Sequence, residues 1–365
     1  MRVLISGTAS AAGWPAPGCG CASCARVTPG RRRTHVLLGD PVVHGLPALH
    51  GDLPPSGGPV PLPPTGVLPS GRHARSGPDG LTVITPDGRR ILYAAALPAG
   101  PGREPDHESD HESDHELDMA LVDVLDRPER LGDLRRRGLL GERTHVVAVD
   151  LDHRVPTEVE LDRRAALWGV RIVADGTVVD LREPPPALPA PPRRTLLLGG
   201  TRSGKSAEAE LRLAAEPEVL YVATGPSGEG DPEWARRVRK HRDRRPAHWR
   251  TVETTDLAGV LRSATSPLLI DGLGTWITAV FDECGAWSGG EGLDAVAARC
   301  EELVEAWRQT HVRVVAVSDE VGLGVVPHTS SGRMFRDALG RLNQRLSMES
   351  EDVGLVVAGR LLGLI

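Results

Sequence analysis

The run TLLLGGTRSGKSAEAELRLAA, residues 195–215, leaves its surroundings few folding options. An apolar stretch, a glycine-rich turn and a helix-forming stretch follow one another without a spacer. Residues 199–206, GGTRSGKS, fit G-x-x-x-x-G-K-S, the pattern of a loop that wraps phosphate groups between a strand and a helix. Gly199, Gly200 and Gly204 let the main chain approach phosphate oxygens closely, and Thr201, Arg202 and Ser203 complete the turn. Amide N–H groups and the helix N-terminus supply positive potential. Lys205 offers a compact, mobile charge to β- and γ-phosphates, and Ser206 a hydroxyl for Mg²⁺. Of 43 basic residues only Lys205 and Lys240 are lysine, which suggests a task at Lys205 that arginine cannot perform.

Further apolar runs recur downstream: VLYVA (219–223), LLID (268–271), VRVVAV (312–317) and GLVVAG (354–359). Helical patterns separate them, namely DPEWARRVRKHR, LDAVAARCEELVEAWRQ and RMFRDALGRLNQRL, the first with an Asp-Pro start signal. Buried strands alternating with helices predict a parallel α/β sheet with helices on both faces.

Six of the nine residues from Pro184 to Pro192 are proline, a stretch too stiff for a sheet centre or helix interior. It reads as a linker over 183–194, between an N-terminal domain at 1–182 and a C-terminal domain at 195–365. Two domains also suit a 365-residue chain. The first half is less regular. Residues 51–80 are rich in Pro and Gly with little periodicity, and 106–117 repeat DHES, DHES, DHEL. The repeat predicts a disordered insert near 100–117 whose His and Asp residues could weakly hold a divalent metal.

A net charge of −6 excludes a globally basic nucleic-acid binder, and no apolar run approaches a membrane span. The opening MRVLISGTAS carries no export signal, so the expectation is a cytoplasmic protein with no nucleic-acid partner. Five cysteines are too few, and odd in number, for a disulfide framework.

Residues 236–250, RRVRKHRDRRPAHWR, concentrate basic side chains. Three readings stay open: a solvated basic face, a nucleic-acid patch, or a polyphosphate-binding segment. His241 lies inside the run, where neighbouring cations disfavour imidazolium and a neutral ring is nucleophilic. Asp271 ends an apolar run, where a carboxylate can support Mg²⁺ or contact nucleotide.

Together, GGTRSGKS, YVATG, RRVRKHRDRRPAHWRTVE, LLIDGLGTW, SDEVGLGVVP, GRMFRDALGRLNQRL and VVAG resemble the bifunctional adenosylcobinamide kinase/adenosylcobinamide-phosphate guanylyltransferases of cobalamin assembly. The resemblance runs from Arg194 to the C-terminus and implies a P-loop NTPase (RecA-like) fold. It implies phosphorylation of adenosylcobinamide by ATP or GTP. GMP then passes from GTP through a guanylyl-histidine to the corrinoid phosphate, with release of pyrophosphate. On this resemblance His241 is the guanylylated residue, and Arg242, Asp243, Arg244 and Arg245 fall where the family contacts nucleotide. Glu253, Asp271 and the loop Ala223, Thr224, Gly225 match further nucleotide positions, and Lys205 with Mg²⁺ would stabilise transition-state charge. The family also implies a homo-oligomer, a trimer. Four features depart from its pattern: Asp319 and Ala279 stand where Asn is usual, Gly354 where Trp is common, and the ending RLLGLI is atypical. The alternative reading is a P-loop regulatory module that hydrolyses nucleotide slowly without covalent transfer.

MRVLISGTASAAGWPAPGCGCASCARV resembles the opening of metallo-β-lactamase-fold phosphodiesterases, and residues 144–181 their closing strand–helix–strand. The H-x-H-x-D-H run that holds two metals in that fold is absent, and ILYAAALPAG lacks the bridging Asp. The expectation is therefore a shortened, catalytically silent metallo-β-lactamase-like αβ domain. Cys19, Cys21 and Cys24 could hold a structural Zn²⁺ or be free thiols; His35 or His44 is guessed as fourth ligand, and His153 falls near a ligand position of the fold. Cys284 and Cys300 show no ligand spacing.

Overall fold

The computed structural model describes residues 1–38, 65–68, 72–94, 116–225, 236 and 245–364. They form two compact units, Met1–Pro189 and Ala190–Ile365, which divide inside the proline run.

The first unit contains β1 (Arg2–Gly7), β2 (His35–Leu38), β3 (Thr65–Leu68), β4 (Arg72–Gly77), β5 (Gly80–Ile84), β6 (Arg90–Ala94), β7 (Met119–Val122), α1 (Glu129–Arg136), β8 (His145–Ala148), α2 (Glu158–Trp168) and β9 (Thr177–Asp180). β2-β1-β9 make one antiparallel sheet; β3-β4-β5-β6-β7-β8 make a second, in which β6, β7 and β8 run parallel. Alternate residues Val3 and Ile5 of β1 and Val36 and Leu38 of β2 share a core with Val83, Ile91, Met119, Leu121 and Val147 of the larger sheet. Period-two side chains thus bury one face of each sheet against the other. Pro- and Gly-rich 51–80 nevertheless supplies β3, β4 and the start of β5. β4 reads RHARSG, so main-chain pairing to β3 and β5 builds it without an apolar alternation that a sequence pattern could show. Nearly all of the tetrapeptide repeat, and His44, lie outside the described residues.

The second unit contains β10 (Arg194–Gly199), α3 (Lys205–Leu213), β11 (Leu220–Ala223), β12 (Arg250–Glu253), α4 (Leu257–Ser263), β13 (Leu268–Asp271), α5 (Leu273–Glu283), α6 (Glu291–Gln309), β14 (Val314–Asp319), α7 (Ser330–Met348), β15 (Asp352–Val357) and β16 (Arg360–Gly363). The sheet order is β12-β11-β13-β14-β10-β15-β16, and every neighbouring pair is parallel except β15–β16. The expected α/β sheet is present, with β16 as an antiparallel edge. Leu196 and Leu198 of β10 pack on one face with Trp276 and Phe281 of α5, Trp307 of α6 and Leu339 of α7. Leu197, between them, packs on the other face with Ala209 and Leu213 of α3. Helices on both faces explain why these strands read as continuous apolar runs. The helix expected over 231–242 lies outside the described residues except for Arg236.

Two of the departures noted above belong together. A Cβ on Gly354 would come within 2.5 Å of Leu361 Cδ1, so the side chain of the atypical C-terminal strand fills the space a larger residue at 354 would need.

Candidate functional site

Parallel strands direct their C-terminal ends to one edge of the sheet, and the chemistry-bearing residues collect there. Pairing aligns Ala223 of β11 with Glu253 of β12 on one side and Asp271 of β13 on the other. It also aligns Gly199 of β10 with Asp319 of β14. The phosphate loop therefore opens beside two strand-end carboxylates.

Within the loop, Gly204 caps α3 with φ +101°, a conformation that L side chains rarely adopt. Lys205 is the first residue of α3. Its ammonium donates to Gly200 O (3.1 Å) and pairs with Asp319 Oδ1 at 2.9 Å. Ser203 Oγ is buried without a hydrogen bond among the described residues. Ser206 Oγ donates to Asp271 Oδ1 at 3.0 Å, and the Tyr221 phenol donates to the other oxygen of the same carboxylate. Burial, reinforced by the Asp271 charge, pushes the Tyr221 phenol far above its usual range, so it stays a proton donor. The Arg245 guanidinium stacks on the Tyr221 ring, its carbon 3.2 Å from the ring centre, and reaches Thr251 Oγ1 at 3.3 Å. Arg245, Tyr221, Asp271 and Ser206 form one chain of contacts leading into the loop.

Thr224 is buried, donates to Gly272 O (2.6 Å) and meets Thr275 Oγ1 at 2.7 Å, which ties the turn after β11 to the start of α5. Glu253 is exposed at the same edge. Of the residues marked out by sequence, the structure brings together 199–206, 223–225, Asp271 and Glu253, with Arg245 joined through Tyr221. His241, Arg242, Asp243 and Arg244 lie outside the described residues. Tyr221, Thr275 and Asp319 belong to this edge and were not among the expected site residues. Asp319 carried the signal that marked Asp271, an acid ending an apolar strand; Tyr221 was hidden inside one.

Hydroxyl and carboxylate oxygens 3.0 Å apart at the loop are the hard donors Mg²⁺ takes alongside substrate phosphates, so Ser206 and Asp271 fit that ion.

In the first unit, Cys19, Cys21, Cys24 and His153 place one ligand atom each within 4.8 Å of one another. His153 Nδ1 lies 3.8 Å from Cys19 Sγ and 3.7 Å from Cys24 Sγ. Tetrahedral zinc with Zn–S near 2.3 Å and Zn–N near 2.0 Å has ligand–ligand edges of about 3.5–3.8 Å. The Cys24 N–H donates to Cys21 Sγ at 3.4 Å and holds that thiol below its usual range. Among the described residues the imidazole that meets the three thiols is that of His153, not the guessed His35, while the other guess, His44, lies outside the described residues. His35 instead bonds Ser6 Oγ at 2.6 Å. The cysteine loop is stitched to the segment bearing His153, because Ser23 Oγ accepts from Trp14 Nε1 and donates to Val155 O (2.6 Å). Among the described residues this is the one cluster of three or more His, Cys, Asp or Glu ligands in mutual reach. At the ends of β6–β8, Tyr93 donates to Asp150 Oδ2 (3.1 Å) and Arg154 bonds Asp123 (3.0 Å), with burial raising both carboxyls.

Among the described residues, no helix is long and apolar enough to cross a membrane. Residues 195–364 match the family model described as cobinamide kinase / cobinamide phosphate guanyltransferase. The bifunctional adenosylcobalamin biosynthesis protein CobU of Salmonella typhimurium is 38% identical over 179 residues, covering 45% of this chain and 95% of that protein. The bifunctional adenosylcobalamin biosynthesis protein CobP of Pseudomonas aeruginosa is 42% identical over 172 residues, covering 46% of this chain and 94% of that protein. Among solved structures, a prototypical ATPase from the type III secretion system of pathogenic bacteria aligns at 14% identity with a TM-score of 0.31, over 45% of this chain and 50% of that one. Through its second unit, the chain belongs to the cobinamide kinase / cobinamide phosphate guanyltransferase family.

Proposed function

We propose that the second unit phosphorylates adenosylcobinamide with a nucleoside triphosphate and then transfers GMP from GTP to the product, giving adenosylcobinamide-GDP and pyrophosphate. The observation that carries this reading is the Lys205–Ser206–Asp271 arrangement in a chain of this family. Loop amides and Lys205 hold the β- and γ-phosphates, and the acceptor hydroxyl attacks the γ-phosphorus in line as the β–γ bridge breaks. Ser206 and Asp271 are the residues that would hold Mg²⁺, whose chemistry there would be to neutralise phosphate charge. Tyr221, kept neutral and stacked under Arg245, orients Asp271 toward Ser206.

In the second reaction His241 is the nucleophile toward the GTP α-phosphorus. Its ring nitrogen forms the P–N bond and pyrophosphate departs; the corrinoid phosphate then displaces histidine. Arg242, Asp243, Arg244, Glu253 and the 223–225 turn belong to the nucleotide contacts of this reading. It further takes the enzyme as a cytoplasmic homo-oligomer, a trimer, with no nucleic-acid partner. The first unit is read as a metallo-β-lactamase-like domain without hydrolytic metals, supported by its two facing sheets and strengthened by a structural zinc on Cys19, Cys21, Cys24 and His153.

The test is incubation with Mg²⁺ and GTP labelled at the α-phosphate, followed by denaturation. An acid-labile, base-stable label is expected on the protein, falling to background in His241→Ala. Slow hydrolysis with no label would instead indicate a nucleotide switch. A second expectation follows from the Lys205–Asp319 ion pair, which phosphate must displace. Asp319→Asn should tighten nucleotide binding about two- to five-fold, as expected for a partly exposed pair, read by titration calorimetry. Weaker binding in the variant would show that Asp319 supports the nucleotide rather than competing with it.

A further inference from the structure

A cavity of about 530 Å³ lies between α5 and α7, lined by Thr278, Trp287, Thr329, Ser331, Gly332 and Phe335. Its α5 wall is Thr278, on the helix that starts at the phosphate-loop edge. A Cβ on Gly274, in the first turn of α5, would stand 2.4 Å from Asp319 Oδ2 and 3.7 Å from Leu339 of α7. Asp319 is the carboxylate paired with Lys205. One helical turn further along α5, about 5.4 Å, comes Thr278, whose hydroxyl donates to Gly274 O at 3.0 Å. One turn before Leu339 on α7 comes Phe335. The groove therefore begins a single helical turn from Gly274, which lies against the carboxylate paired with the phosphate-loop lysine.

Its walls are aromatic and their orientation is set. Trp287 donates from Nε1 to Asp282 Oδ1 (2.5 Å) and packs on Phe281 with ring centres 4.6 Å apart. The chain that leaves Asp319 adds exposed apolar surface, with Leu323, Val325 and Val326 at 80%, 94% and 62% exposure. Its main chain is tied to α7, since Arg336 donates to Gly322 O (2.8 Å) and Arg333 donates to Pro327 O (3.1 Å) and His328 O (2.7 Å). Apolar side chains held out in water beside an aromatic groove mark a surface that awaits an apolar ligand.

We propose that this groove, with Leu323, Val325 and Val326 as its outer wall, holds the macrocycle of the corrinoid acceptor. The inference rests on the kinase and transferase reading and adds a place for its second substrate. The acceptor hydroxyl ends a side arm of a large ring with apolar faces and amide-bearing edges. The ring must therefore rest near the phosphate loop without entering it, which is where the groove lies. Trp287 and Phe335 suit the apolar ring, and the hydroxyls of Thr329 and Ser331 suit its amides.

The experiment is equilibrium dialysis of cobinamide, followed by its visible absorbance, against the full chain and two variants. Thr278→Trp fills the groove; Val325→Asp alters a residue too exposed to matter for folding. Melting temperature and molar mass are recorded for each. The expected result is a cobinamide Kd raised at least ten-fold in both variants, with melting temperature and mass unchanged. Unchanged Kd in Val325→Asp and in a folded Thr278→Trp overturns the proposal, as does a parent chain that binds no cobinamide. A drop in molar mass accompanying the loss of binding assigns the face to a second copy of the chain and also overturns it. Failure of the parent reading shows separately, as absence of the guanylyl label.

Discussion

Asp271→Asn should lower the turnover of phosphoryl transfer about 100- to 1000-fold, the range seen when one preorganised electrostatic group is removed from an active site. The carboxylate accepts from Ser206 at 3.0 Å and from Tyr221, so both oxygens are committed and aimed. An amide of the same shape keeps one acceptor oxygen, turns the other position into a donor, and loses the charge that faces the phosphate loop. Folding should survive, because the side chain is only half-buried and keeps its size. Tyr221→Phe, which removes one orienting hydrogen bond and no charge, should cost far less, about three- to ten-fold in kcat. Single-turnover phosphorylation at saturating nucleotide checks both. A loss below ten-fold for Asp271→Asn would remove Asp271 from the ion-holding role and leave it as a structural partner of Ser206.

The second large effect is expected in the first unit. Cys24→Ser should reduce bound zinc from one per chain to none and lower the melting temperature of that unit by about 10 °C, as loss of a few kcal/mol does in a domain of this size. The cluster spans distant chain: the cysteine loop at 19–24 meets His153, and Ser23 fastens the same loop to Val155. Without a metal, the thiol end of the loop would be held to the 150s segment only by hydrogen bonds such as Ser23 Oγ to Val155 O and Ser10 N–H to Leu151 O. Cys300→Ser is the control. Burial pushes that thiol up to about 11, and it is not part of the ligand cluster. Metal analysis together with calorimetry reads both variants. Zinc retained at one per chain by Cys24→Ser would show that the ion is held elsewhere.

The two halves of the phosphate site differ in how far the chain order exposes them. Strand, turn, Lys205, Ser206 and helix occupy a single run, so local geometry alone places them, and Asp271 is marked by its position ending an apolar strand. Those features were legible because a parallel α/β unit buries both sheet faces, and continuous apolar runs with strand-end acids are the direct trace of that burial. β4 was illegible for the opposite reason: a polar strand, RHARSG, held by main-chain pairing leaves no apolar period.

The remaining site residues depend on which strand lies beside which. Tyr221 reaches Asp271 because β11 neighbours β13, and Asp319 reaches Lys205 because β14 neighbours β10, although about 115 residues separate that last pair in the chain. His153 completes the cysteine cluster because the 10–34 loop is bonded to the 150s segment, as in Ser10 N–H to Leu151 O at 2.9 Å. No local propensity encodes such pairings. They follow from the one strand order that buries the apolar faces of each sheet at once, a property of the whole core. Residue types and spacing were enough to announce phosphate chemistry and a thiol cluster; which carboxylate meets the lysine was settled by strand order in the buried sheet, and which imidazole meets the thiols by the hydrogen bonds that join the two loops.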